Sequence, residues 1–361
     1  MKGTVVYFFA FDVAGEIRTT LVRELLSQKP FPFQIRVGQA APRDVPFYRP
    51  LTVGLKPEEL DSNVGPVTVK PFVKVFDVGV ISISYEVPFE VARLSDLVPY
   101  HALTAHGIAL ATRAERLLGV VVENLRPYMV NPNDQRAPVE AYTAFCLENV
   151  GGGVQEWTAA SRAEIAALLC EEAVSERLAR SQVDETLRLA LSYTSEDVTV
   201  IDWDAALVVD RSGYFDDVLY MIELANLQLE EYRLLDDRLD RHFLEAYDDL
   251  ERFHKARRLF RGPGAPLRAL RAYRMDITKM SEEVSNITKF VGDWYLARVY
   301  LACKERFHLG HWETSVDQKL LELDRLYSLV QSETYERRML ALEVLIAALF
   351  IFDVLALLFR K

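Results

Sequence analysis

The patterning of this chain changes once, near residue 213, and that change limits what it can fold into. Before it, short runs rich in β-branched and aromatic residues alternate with helical stretches, punctuated by Gly and Pro. From Asp216 onward no strand signal remains. Val218, Ile222, Ala225, Leu229, Tyr232, Asp236, Leu239, Phe243, Ala246, Leu250 and Phe253 follow one another at spacings of four and three. That spacing keeps one stripe of a long helix against a partner. Asp236 is the polar intruder: buried, a carboxylate there fixes register or oligomer state; otherwise it is a solvated position on a drifting stripe.

The first part reads as a sheet with helices. "TVVYFFAFDV" is a buried strand, and a helix is expected from Glu16 to about Gln28. "FQIRVGQ", "FYRPLTVGL" and "PVTVKPFVKVFDVGVISISYEV" read as strands and hairpins, with a bend or bulge at Gly79. Helices are expected near Phe89–Val98 and Ile108–Tyr128, the second stopped by Pro132. A strand at Val139–Leu147, a glycine turn at "VGGGV", helices at Ala159–Glu172 and Val174–Ser192, and the strand "DVTVIDWDAALVVD" complete it. Strands and helices do not alternate regularly enough for a doubly wound fold. The expectation is α+β: a mixed or antiparallel sheet with helices over residues 1–212, then a long three-helix antiparallel stalk over 213–338. "RGPGAP" and "HLGHW" make its turns.

The last helix runs on into an apolar stretch. From Met339 to Phe359 only Glu343 and Asp353 are not apolar. At 1.5 Å per residue such a segment is about 31 Å long, close to a bilayer core. Apolar residues cover every side, and Arg337, Arg338, Arg360 and Lys361 bracket the run. The expectation is a C-terminal membrane-anchor helix, with Glu343 and Asp353, about 80° apart around the axis, facing another helix in a homo-oligomer.

Arg257, Arg258, Arg261, Arg268 and Arg271 belong to a run of eight Lys and Arg between Arg252 and Arg274 that contains no acid. Such a tip suits an anionic partner, acidic lipid headgroups or ribosomal RNA phosphate. The chain as a whole carries a net charge of −11, which argues against DNA. Three scattered cysteines fit a reducing compartment. The first apolar run, Val5 to Phe11, is too short for a signal peptide, so the bulk of the chain is expected in the cytoplasm.

Catalytic chemistry finds little footing. His308 and His311 with Glu313 sit at a turn and lack a further obvious ligand. "VGGGV" is followed by no GK[ST], so it is no phosphate loop. Asp202 and Asp204 flank Trp203 on what reads as one strand, a solvent face more naturally than a cation site, with Trp203 as core. No catalytic, cofactor or metal residue is assigned, and the leading expectation is a non-enzymatic, oligomeric membrane scaffold that holds a cytoplasmic partner.

The residues Phe76, Asp77, Gly79 and Val80 in "VFDVGVISIS", and Leu342, Glu343 and Asp353 in "LEVLIAALFIFDV", resemble the required-for-meiotic-nuclear-division family with its YagE-like bacterial members. The resemblance implies an α+β domain, helices, a C-terminal membrane segment, oligomers, a translation-related role and a bacterial inner-membrane location. Two other readings stand beside it. One is a CorA-like cation-transport protein, which would need two spans and a Gly-Met-Asn loop. The other is a soluble enzyme whose last helix is buried in a dimer.

Overall fold

The structure, a computed structural model, describes residues 1–22, 50–133, 139–255 and 294–359. It is a mixed α+β fold with a large N-terminal mixed sheet and several C-terminal helices. Two compact units divide it: Met1–Tyr232 with Glu283–Gly310, and Arg233–Glu282 with His311–Lys361.

In the first unit the strands are β1 (Lys2–Asp12), β2 (Ala14–Ile17), β3 (Leu51–Gly54), β4 (Glu58–Ser62), β5 (Gly65–Val75), β6 (Val80–Glu90), β7 (Thr104–Ala105) and β8 (Ile108–Ala109). After helix α1 (Leu110–Leu125) come β9 (Met129–Pro132) and β10 (Glu140–Asn149). Helices α2 (Val154–Ala160), α3 (Arg162–Leu169) and α4 (Arg180–Thr186) lead to β11 (Ala190–Leu191), β12 (Asp197–Ile201) and β13 (Ala205–Asp210). The main sheet runs β11-β12-β13-β10-β1-β6-β5-β4-β7-β8, with β3 also on β5. Its pairs are antiparallel except β10 with β13, which is parallel. β2 and β9 form a separate pair.

β1 sits in the middle and is buried along nearly its whole length, on both faces. That explains a run as apolar as "VVYFFAF", since a strand covered on both sides has no solvent face to alternate with. One core takes Val5, Tyr7, Phe9 and Phe11 together with Leu110, Ala114 and Leu118 of α1. The other face of the sheet carries Lys74 over the Phe8 ring, and meets α5 (Asp216–Lys255) through hydrogen bonds from Lys74 and Ser82 to Glu223. α6 (Trp294–Arg306) reaches the same sheet through Tyr295 on Thr199.

The expected strand around Gly79 is two strands of 11 residues each, joined by a tight turn at 76–79. Gly79 has φ +92°, and an added Cβ would lie 1.9 Å from the Ala14 carbonyl oxygen. The Gly79 carbonyl accepts the amides of Val13 and Ala14, and the Asp77 carbonyl accepts that of Ile17. The turn therefore clasps the corner between β1 and β2. This accounts for Phe76, Asp77, Gly79 and Val80 as a structural motif: Phe76 and Val80 are core, and only Gly fits between them and Ala14.

Other expectations changed. The start of the helix expected from Glu16 is strand β2, because pairing with β9 outweighs local preference. β6 runs to Glu90 and is followed by a 3-10 turn, Leu94–Tyr100, not a helix from Phe89. "DVTVIDWDAALVVD" is a hairpin, not one strand. The helices expected over 159–192 are several short pieces.

In the second unit, α5 beyond Tyr232 and α7 (Leu309–Phe359) pack together. Leu235, Leu239, Val316, Leu320 and Leu323 are buried. α7 is one unbroken helix of 51 residues, and Met339–Phe359 is its final part. The membrane-anchor expectation for that part is overturned. Among the described residues no helix is long and apolar enough to cross a membrane. A carboxylate at mid-span costs roughly 2.5–3.5 kcal/mol on insertion, which offsets some six aliphatic neighbours at about 0.3–0.6 each. The membrane partner, the transmembrane tail anchor and the inner-membrane location fall with it.

Candidate functional site

Chemistry-bearing residues gather in two places, one in each unit. The first is the closed end of the β12–β13 hairpin. Asp202, Trp203 and Asp204 form its turn, with the Asp202 amide donating to the Ala205 carbonyl at 2.9 Å. Asp202 is buried, whereas Trp203 is 41% exposed and lies against the His308 ring, 5.4 Å between centroids. Trp203 is therefore not core, and the two acids do not share a solvent face.

Arg306, the last residue of α6, fills this end. Its Nε donates to the Ile201 carbonyl (3.2 Å), and Nη2 to the carbonyls of Glu185 (2.9 Å) and Thr186 (3.4 Å). Its Nη1 lies 3.2 Å from Glu185 Oε1 and 3.4 Å from Asp202 Oδ1. Burial pushes the Asp202 carboxyl above its ordinary value, while the Arg306 guanidinium, the Trp203 backbone and Thr186 pull it back down. Cys170 Sγ lies 3.4 Å from Thr186 Oγ1 and 3.9 Å from Asp202 Oδ2. Tyr142 donates to the Asp202 carbonyl at 2.9 Å.

His101 packs beside the same region, 4.8 Å from the Phe145 ring. Nε2 lies 2.7 Å from the Leu168 carbonyl, which can only accept, so Nε2 carries the proton. Nδ1 then faces the Glu171 carboxylate at 3.3 Å. Burial lowers the His101 pKa, against the opposing pull of Leu168, Glu171 and Asp204.

These groups spend their hydrogen bonds on one another. Arg306, Glu185, Thr186, Asp202 and Cys170 form a clasp that ties α6 to α4 and the hairpin. Among the described residues no group of three or more His, Cys, Asp or Glu could hold a metal ion. His308 lies in the first unit and His311 in the second. The sequence carried no sign of the clasp, because Glu185 and Arg306 are 121 residues apart and neither stands in a motif.

The second place is the helix pair of the second unit. Lys319 lies 2.8 Å from Asp236 Oδ1 and 2.5 Å from Asp240 Oδ1, and Ser315 donates to Asp236 at 3.3 Å. Arg233 lies over the Trp312 ring at 6.0 Å. The partners advance together, 233 with 312 and 236 with 315 and 319, so α5 and α7 run parallel. Asp236, the polar intruder of the stripe, is half-buried and has its own lysine.

Beyond this pair α7 turns apolar and exposed. Leu340, Leu342, Val344, Leu345, Ile346, Leu349, Phe350, Ile351, Phe352 and Leu355 are 47–73% exposed. Successive residues stand about 100° apart, so Val344 to Ile346 and Leu349 to Phe352 cover the whole circumference. Glu343 is exposed among them. Asp353 lies in the same helix, its side chain outside what the structure describes. Arg257, Arg258, Arg261, Arg268 and Arg271, the basic tip, lie outside the described residues, and with them the acidic-lipid and ribosomal-RNA readings.

Comparison with known proteins covers the N-terminal part of the chain. The family model described as "Uncharacterized protein MJ0711, N-terminal domain" matches residues 2–216. A protein of Methanocaldococcus jannaschii, "Uncharacterized protein MJ0711", is 21% identical over 220 residues, which is 60% of this chain. The match spans 65% of that relative's length. No solved structure matches. The resemblance to the required-for-meiotic-nuclear-division family is overturned by the family match, and a bacterial setting draws no support from an archaeal relative. Of the two motifs that suggested it, Phe76 to Val80 is the turn that clasps the β1–β2 corner of this sheet.

Proposed function

From the premise that this chain belongs to the MJ0711 N-terminal-domain family, we propose that it is a docking protein. Its helical arm offers an apolar end to a partner protein. In this reading the arm is α5 beyond Tyr232 together with α7, whose parallel course sets them side by side.

One observation carries the reading: the exposed apolar surface that encircles α7 from Leu340 to Leu355. Ten large apolar side chains left in water form a patch well beyond what soluble surfaces tolerate, and such patches mark interaction sites. The occupant is a protein with an apolar helical groove and a basic residue placed against Glu343. The clasp at Arg306 supports the same division of labour, since its polar groups serve cohesion of the body.

The test places a photoreactive benzoylphenylalanine at Phe350 of the full chain in its native cell. A single discrete adduct with a second, different polypeptide is expected. An adduct of two copies of this chain, an adduct with lipid, or none at all would overturn the reading.

A further inference from the structure

The end of α3 carries a feature that docking does not use. It closes in a left-handed cap: the Glu172 amide donates to the Ala167 carbonyl at 2.8 Å, and Glu171, with φ +56°, holds the place that glycine usually takes. A side chain is disfavoured in that conformation, and glycine would relieve it. What the glutamate gains is aim: its Oε1 lies 3.3 Å from Nδ1 of His101. The His101 side chain is 5% exposed and directly follows the 3-10 turn Leu94–Tyr100. The groups around it come from three elements: the Leu168 carbonyl and Glu171 from α3, Phe145 from β10, and Asp204, within electrostatic reach, from the β12–β13 turn. The other acids nearby in sequence are engaged elsewhere, Glu172 with the Val174 amide and Arg177, Asp96 with Arg93.

The Leu168 carbonyl fixes the Nε2 proton, so in the neutral ring Nδ1 presents a lone pair to the Glu171 carboxylate. Two electron-rich atoms at that distance repel, and a proton placed between them turns the same contact into a charge-assisted hydrogen bond. We infer that His101 and Glu171 form a proton-operated latch: a second proton on the ring, taken from solvent at Nδ1, draws the Glu171 carboxylate onto it and fastens the end of α3 to the 3-10 turn, and loss of that proton releases it. Glu171 is 59% exposed, so its side chain has room to leave and return. The imidazolium would also stand at the C-terminal end of α3, where the last carbonyls favour a cation. Burial opposes the charge and lowers the His101 pKa, with Leu168, Glu171 and Asp204 pulling the other way, so the latch closes below pH 6.5. Closing it orders the end of α3 locally, while the buried charge lowers the stability of the whole fold.

The test follows the histidine ring nitrogens of the full-length chain by nuclear magnetic resonance as pH falls, with His101→Gln identifying the signal, and repeats the titration on Glu171→Gln. At pH 7.5 the His101 ring is expected to carry its proton on Nε2 alone. As Nδ1 becomes protonated, amide protection at Cys170, Glu171 and Glu172 is expected to rise about two- to five-fold, the size of one partly exposed ion pair. In Glu171→Gln the His101 pKa falls further, and the rise in protection is lost. The inference is overturned if Nδ1 already carries a proton at pH 7.5, or if Glu171→Gln leaves the His101 pKa where it was. It is equally overturned if protection at the end of α3 does not rise in the native chain, or rises alike in both.

Discussion

At the scale of single residues the account rests on close approaches and on buried charge. Gly79→Ala forces a Cβ to 1.9 Å from the Ala14 oxygen at a φ of +92°. The turn cannot hold both, and a loss of roughly 2–4 kcal/mol is expected in urea unfolding. Gly3 is constrained by close approach alone, since an added Cβ would lie 1.9 Å from the Cys146 carbonyl oxygen. Arg306→Met leaves Asp202 buried without its cation and is expected to lose about 3–5 kcal/mol. Adding Asp202→Asn should restore part of that loss, so the double variant is more stable than the single losses sum to. His101 supplies a pH dependence. Its folded pKa lies below 6.5, so the unfolded chain takes up the proton first, and the stability it contributes is present above 6.5 and lost as pH falls through the folded value. Urea midpoints at pH 7.5 and pH 5 should therefore differ more for the native chain than for His101→Gln.

At the scale of elements, what could be read from the sequence depended on whether the deciding forces were local. β1 was legible because burial on both faces leaves an unbroken apolar run. α1 was legible because Leu110, Ala114 and Leu118 repeat at four. The β12–β13 turn was missed because it contains neither Gly nor Pro, and Trp203 disguises it as core. β2 was missed because its partner β9 lies more than 100 residues away. The clasp at Arg306 and the contact of His101 with Glu171 were illegible for the same reason: their partners come from distant strands and helices. Asp236 was read as fixing register or oligomer state, or else as a solvated position; in the structure it is half-buried and paired with Lys319. Burial works against the Lys319 ammonium, but hydrogen bonds to Asp236 and Asp240 outweigh it and raise its pKa. Lys319→Met should loosen the α5–α7 pair by about 1 kcal/mol, read as faster amide exchange around 233–240 with the sheet unchanged.

At the scale of the whole molecule, the proposed docking end is the apolar stretch of α7 beyond Met339. The all-round apolar character of residues 339–359 was plain in the sequence. What covers it was not, because a helix apolar on every side is compatible with several surroundings. The most direct test compares urea unfolding of the full chain with that of a chain ending at Arg338, followed by far-ultraviolet circular dichroism. If α7 beyond Met339 is a docking end, the shortened chain keeps an unfolding free energy within about 1 kcal/mol of the full chain's and loses only the helix signal of the removed residues. A shortened chain that unfolds, or whose unfolding free energy falls by several kcal/mol, would show that the apolar end is part of the core, and the docking reading would fail.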